Sequence, residues 1–166
     1  MKFLNQMTLK FDSLSVNEAF ARSAVSAFCV QLNPTLDEIT DIKTAISEAV
    51  TNCVVHAYPN EVGTVEIFVG LTKDCVFVSV KDNGVGIVDL NQAREPFFTT
   101  KPDEERAGMG FTVMESFMDS VELLHNKNGG VEVKMTKKIK ENKLMAKKEQ
   151  NVWWKFSTNS FSKKWR

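Results

Sequence analysis

Residues 64–86 read TVEIFVGLTKDCVFVSVKDNGVG. Thr64–Leu71 and Cys75–Lys81 are two apolar-rich runs joined by Thr72-Lys73-Asp74, the pattern of a β-hairpin. Asp82-Asn83-Gly84-Val85-Gly86 breaks the chain directly after the second strand. Glycines spaced by one residue let backbone approach a flat ligand or a phosphate closely, and the carboxylate before them can accept a hydrogen bond from an amino group. The same string also suits a plain turn, because Asp, Asn and Gly are all turn formers.

Upstream, a helix is expected from about Thr35–Asp37 to His56, stopped by Tyr58-Pro59-Asn60. Ile39, Ile42, Ile46, Ala49, Val50 and Cys53 form one apolar stripe at helical spacing. Before it, Ser15 starts another helix, with Glu18 three residues later as a capping box, ending near Asn33-Pro34. Residues 7–12 alternate as a first strand. Downstream, residues 88–95 suit a short helix, and residues 96–110 a long loop of the kind that is functional or disordered. Gly110–Met118 reads as a helix. Val121–Leu124 and Val131–Thr136 read as strands around Asn128-Gly129-Gly130, a hairpin turn. No internal repeat is visible.

Three places carry residues suited to chemistry. Glu48, Asn52 and His56 recur every fourth residue and line up along one side of the second helix, Glu48 almost opposite the apolar stripe. They suit either a solvated polar face or a ridge of oxygen ligands for a hard cation such as Mg²⁺. Asp82-x-Gly84-x-Gly86 is the second place. Gly108-Met109-Gly110-Phe111 is the third: glycines leading into a helix start favour an anion, through free N–H groups and the helix dipole. Thr99, Thr100, Lys101 and Arg106 lie just upstream, two hydroxyls and two cations on a segment able to close as a lid, or simply a mobile surface loop.

Composition narrows the class. The 166 residues are 43% hydrophobic and 25% charged, one domain with room for a tail. The formal net charge of zero conceals a split: residues 137–166 hold 10 Lys/Arg against 2 Asp/Glu, and residues 1–136 hold 11 against 19. An acidic body argues against nucleic-acid binding through a broad basic face. No apolar run reaches the roughly 20 residues a membrane helix needs, and Met1–Asp12 lacks the apolar core of a signal peptide. Cys29, Cys53 and Cys75, each in an apolar run, are expected to be buried reduced thiols in a cytoplasmic protein. The basic tail holds Trp153, Trp154 and Trp165 and reads as a solvated extension or a docking segment.

Taken in order, Glu48-x-x-x-Asn52, Asp82-x-Gly84-x-Gly86 and Gly108-x-Gly110 resemble the ATPase boxes of the GHKL superfamily. Residues 47–52 (SEAVTN), 98–102 (FTTKP) and 105–111 (ERAGMGF) narrow the resemblance to the anti-sigma serine kinases, nearest those of sporulation. Residues 17–22 (NEAFAR) and 42–44 (IKT) add to it. It covers about residues 5–138 and leaves the tail without a counterpart. A kinase domain over 1–138 and a basic tail over 139–166 are therefore expected.

The resemblance implies an α+β fold, a two-layer α/β sandwich of the histidine-kinase-like (Bergerat) type, with helices on one face of a mixed sheet. It implies ATP and Mg²⁺ as cofactors. Glu48 would be the general base, Asn52 the metal ligand, and Asp82 the acceptor for the adenine amino group, with Gly84 and Gly86 beside the base. Thr99, Thr100, Lys101 and Arg106 would form the ATP lid, and Gly108 and Gly110 would cradle phosphate. Arg22, on the first helix and outside the nucleotide site, would meet the partner. Ala57 and Ala107 depart from the family pattern without removing a catalytic group. The implied activity is that of a homodimeric anti-sigma factor that holds a sigma-F-like factor inactive and phosphorylates a serine of its anti-sigma factor antagonist. A general-stress anti-sigma kinase, or an ATP-dependent binding module without kinase activity, would use many of the same residues. The catalytic half of a sensor histidine kinase is disfavoured, because the ATP boxes begin within 50 residues of Met1 with no helical hairpin before them.

Overall fold

A computed structural model describes residues 2–95, 108–127 and 129–140. The elements are β1 (Asn5–Asp12), α1 (Val16–Cys29), α2 (Leu36–Asn52), a π turn (Cys53–Ala57), β2 (Thr64–Leu71), β3 (Cys75–Lys81), α3 (Gly110–Phe117), β4 (Ser120–His125) and β5 (Val131–Lys138). The five strands form one sheet in the order β1-β2-β3-β5-β4.

Period-two alternation divides the sheet into two faces. Val65, Ile67, Val69 and Leu71 of β2 point the same way as Val76, Val78 and Val80 of β3 and Val131, Val133 and Met135 of β5. All are buried in one cluster with Ala21 and Val25 of α1, Ile42, Ile46, Ala49 and Val50 of α2, and Met114 of α3. The register holds this face together, with Ile67 opposite Val80 and Val80 opposite Val133. The opposite face carries Lys81, Glu132 and Lys134 in ion pairs, plus Phe3 packed on Phe68 and Phe77. The helices therefore cover one face, and the two-layer α+β expectation holds.

The sheet is not mixed. Every described strand pair is antiparallel. The short link after α1 folds α2 back against it, so the chain returns to the sheet running opposite to β1. The single crossover through α3 does give β4 the same sense as β3, as in a βαβ unit. However, β5 inserts between them and pairs antiparallel with both.

Local corrections have local causes. Ser15 sits in the α region (φ −57°, ψ −31°) and makes no side-chain cap, because a capping residue needs an extended backbone. Glu18 instead pairs with Arg22, one turn on. The real capping box lies on α2: Thr35 is extended (ψ 166°), its Oγ1 accepts from Glu38 N, and Glu38 accepts from Thr35 N. Residues 88–95 hold only a 3₁₀ turn at Gln92–Arg94 rather than a helix. Cys29 and Cys53 are buried, but Cys75 at the start of β3 is only half-buried; all three are free thiols. Burial pushes the Cys29 thiol up to about 12, so it stays protonated. No helix among the described residues is long and apolar enough to cross a membrane.

Glu38 also fastens the end of the described chain. Ile139 is buried and its N–H bonds the Asp74 carbonyl; Lys140 N then donates to Glu38 Oε1 at 2.9 Å. Burial disfavours the Glu38 charge, yet the N–H groups of Lys140 and Thr35, the Thr35 hydroxyl and the Lys140 charge together hold its carboxyl below the ordinary glutamate value. Glu38→Ala is therefore expected to cost about 1–2 kcal/mol near neutral pH. Because the native pKa is depressed, the contribution is present above the unfolded-state value and fades as pH falls through the native one. Urea denaturation of both proteins at pH 7 and in acid checks this: the gap in stability should narrow in acid.

Candidate active site

The end of α2 places the first group of residues. Ala49, Val50 and Cys53 turn into the core, which leaves Glu48 and Asn52 half-buried on the flank that faces α3. Gly110 opens α3 against them. A Cβ on Gly110 would come within 3.2 Å of Asn52 Oδ1 and 3.3 Å of Glu48 Oε2, so a side chain there would push both groups aside by a few tenths of an ångström. No side chain caps α3 at Met109. The start of α3 thus lies beside Glu48 and Asn52, and a helix start favours an anion.

Asp82 leaves β3 on the far side of the same opening. It is buried, and its Oδ1 accepts from Gly84 N at 2.9 Å and Val131 N at 3.3 Å. Its Oδ2 accepts from the Cys53 thiol, with sulfur and oxygen 3.8 Å apart. Burial raises the Asp82 pKa, and the two backbone N–H groups and the thiol oppose that rise. Burial, and then the Asp82 charge, push the Cys53 thiol well above its ordinary value, so it is present as S–H, a donor.

Two cavities flank Asn52. The larger, about 570 Å³, has apolar walls that include Ala49, Val80, Ile87, Phe111 and Val133, with Asp82, Asn52 and His56 among its polar groups. Gly86 lines it; Gly84 does not, but donates its N–H to Asp82 Oδ1 and packs against the Ala57 backbone. The smaller, about 390 Å³, is lined by Glu48, Ser47, Thr51, Glu18, Arg22 and Val113. Asn52, Gly108 and Gly110 line both. A long ligand lying in the larger cavity would therefore end beside Asn52, with Glu48 just beyond.

The fold thus brings Asn52, Asp82, Gly86, Gly108 and Gly110 around the larger cavity, and Glu48, Asn52, Gly108 and Gly110 around the smaller. It also corrects the placement of Arg22. Although remote in sequence, Arg22 lines the same cavity as Glu48, because α1 packs along α2. Its guanidinium is held by Glu18 at 2.6 Å. Thr99, Thr100, Lys101 and Arg106 lie outside the described residues, as does the tail from residue 141 onward.

Sequence reasoning missed the far wall of Asp82. Gly130 packs so closely that a Cβ there would lie 2.3 Å from Asp82 Oδ1, and its φ of +73° suits glycine. Asn126 Nδ2 donates to the Asp82 carbonyl at 2.8 Å. The Asn-Gly-Gly turn signal is visible in the sequence, but nothing local ties it to residue 82, more than 40 positions earlier.

The donor set fits a magnesium nucleotide. An amide oxygen and a helix start meet where phosphates would lie, and a buried carboxylate with one lightly engaged oxygen stands in an apolar slot sized for a base. The sequence profile of the histidine kinase-like ATPase domain matches residues 13–137. An anti-sigma F factor from Caldanaerobacter subterraneus is 51% identical over 143 residues, which span 86% of this chain and 100% of that one. One from Clostridium perfringens is 53% identical over 136 residues, 81% of this chain and 97% of that one. Among solved structures, the RsbU and RsbW domains of a Mycobacterium tuberculosis protein align with a TM-score of 0.59 at 20% identity, over 81% of this chain and 32% of that one. The catalytic domain of the histidine kinase ThkA aligns at 0.52 and 18%, over 80% of this chain and 98% of that one. These two likenesses speak for the fold. The chain belongs to the histidine kinase-like ATPase domain family and, within it, to the anti-sigma F factors.

Proposed function

We propose that this protein is an ATP- and Mg²⁺-dependent serine kinase that inhibits a sporulation sigma factor of the sigma F type and inactivates its own antagonist by phosphorylating it. It would act in the cytoplasm as a homodimer. The observation that carries this reading is Asn52 at the junction of the two cavities, with Asp82 in one and Glu48 in the other.

Bound MgATP would supply the phosphoryl group. Asp82 accepts from the adenine amino group and orients the base. Asn52 contributes an amide oxygen to the metal, and Gly108 and Gly110 let backbone N–H groups approach the phosphates. Glu48 takes the proton of the incoming serine hydroxyl, which enters from the smaller cavity. Thr99, Thr100, Lys101 and Arg106 would close over the phosphates. Phosphoryl transfer needs positioning and charge neutralisation more than covalent help, and these are the roles the groups can fill. A pure binding module has no need for a carboxylate one helical turn before the metal ligand.

Incubation with labelled ATP, Mg²⁺ and the candidate antagonist should yield phosphoserine on the antagonist. ATP turnover without transfer to any serine would sink the kinase reading.

Arg22 would meet acidic groups of the sigma factor, and of the antagonist as it displaces sigma. Its side chain is 43% exposed, and leaving Glu18 breaks a surface ion pair worth little in solution. Arg22→Ala is expected to weaken sigma binding by about 2 kcal/mol or more with ATP affinity unchanged. Calorimetry with each ligand checks this. A collapse of ATP binding would make Arg22 a nucleotide contact instead, since it lines the cavity of Glu48, Asn52 and Gly110.

A further inference from the structure

Cys53 reads from the sequence as one more apolar position on the α2 stripe, and most of it is indeed packed in the core. Its thiol, however, is aimed at Asp82 Oδ2. Both backbone donors to that carboxylate, Gly84 N and Val131 N, fall on the other oxygen, Oδ1. Two donors on one oxygen anchor a carboxylate but leave its plane loosely defined. A donor on the second oxygen defines the plane, and with it the direction of the remaining Oδ2 lone pair. Among the described residues the thiol is the donor that does this. The helix widens into a π turn at Cys53, a form common at functional sites. Both Cys53 and Asp82 line the larger cavity.

We infer that Cys53 is a positioning residue that orients Asp82 Oδ2 toward a ligand amino group, and so sets how strongly the cavity prefers an amino-bearing purine over one without the amine. The inference rests on the proposed role of Asp82 as acceptor for that amine. A hydroxyl at position 53 also offers a donor, though of shorter reach; a methyl or isopropyl group offers none.

The test uses the full chain and two probes in Mg²⁺: ATP, and purine riboside triphosphate, which differs by lacking the 6-amino group. Dissociation constants are measured for wild type, Cys53→Ala, Cys53→Ser and Cys53→Val; the last roughly keeps the core volume and removes the donor. Loss of one hydrogen bond of this kind corresponds to about three- to tenfold in affinity. The preference for ATP over the amino-free probe should therefore fall by about that factor in Cys53→Ala and Cys53→Val. Affinity for the amino-free probe should stay as in wild type, and Cys53→Ser, which keeps a donor of shorter reach, should retain more of the preference than Cys53→Ala. If Cys53→Ala or Cys53→Val weakens both probes equally, or leaves the preference intact, Cys53 only packs and the inference is overturned. If wild type itself shows no preference between the probes, the Asp82 role fails first, and this inference falls with it.

Discussion

Glu48→Gln is expected to bind ATP like the wild type and to phosphorylate the partner serine about 10²- to 10⁴-fold more slowly. The substitution keeps shape and helix propensity but removes the carboxylate basicity that would take the hydroxyl proton. Glu48 lines the smaller cavity, one turn before Asn52, and does not line the larger one, where the base would lie. Nucleotide affinity should therefore survive while transfer fails. Single-turnover transfer from labelled ATP, alongside calorimetry of ATP binding, separates the two. Transfer at the wild-type rate by Glu48→Gln would remove Glu48 from the chemistry. Loss of ATP binding in that variant would make it a nucleotide ligand rather than the base.

Asp82→Asn is expected to fail at binding, although it is nearly isosteric. Gly84 N and Val131 N both donate to Oδ1, so the amide must present its oxygen there. Its NH₂ then occupies the Oδ2 position and faces both the Cys53 thiol and the ligand amine, donor against donor. Losing a hydrogen bond to a charged acceptor and leaving buried donors unmatched should cost about 10- to 100-fold in ATP affinity. Asn52→Ala should weaken binding in Mg²⁺ and much less in EDTA. Wild type should prefer ATP to GTP, which lacks the amine at that position; equal affinities would contradict the Asp82 role. The ionised carboxyl is the stronger acceptor, and burial raises its pKa. ATP affinity should thus decline on acidification at a higher pH than an ordinary aspartate would give. Titration calorimetry across the acidic range reads that decline directly.

Much of the fold and of the site is legible in the amino-acid sequence. The α2 stripe of Ile39, Ile42, Ile46, Ala49, Val50 and Cys53 stands out because burial recurs with the helical period; all but the half-buried Ile39 are buried. The β2–β3 hairpin and the β4–β5 hairpin follow from alternation and turn residues, and the Asp82 break from a carboxylate and two glycines directly after a strand. The nucleotide boxes can be named in order because each is a short local pattern. Errors of local reading have local causes: Ser15 has the residue type of a cap but not the backbone, whereas Thr35 has both.

Adjacency between distant segments is another matter. That β5 lies between β3 and β4, which makes the sheet antiparallel, is a property of chain crossings that no window of sequence contains. The same holds for Arg22 beside Glu48, Gly130 against Asp82, and the Cys53 thiol on Oδ2. Sequence determined what each segment is, because hydrophobic period and turn chemistry act over a few residues. Only the tertiary structure decided which segments meet, because that depends on how α1 packs on α2 and how β5 enters the sheet, and those packings bring together side chains tens of residues apart.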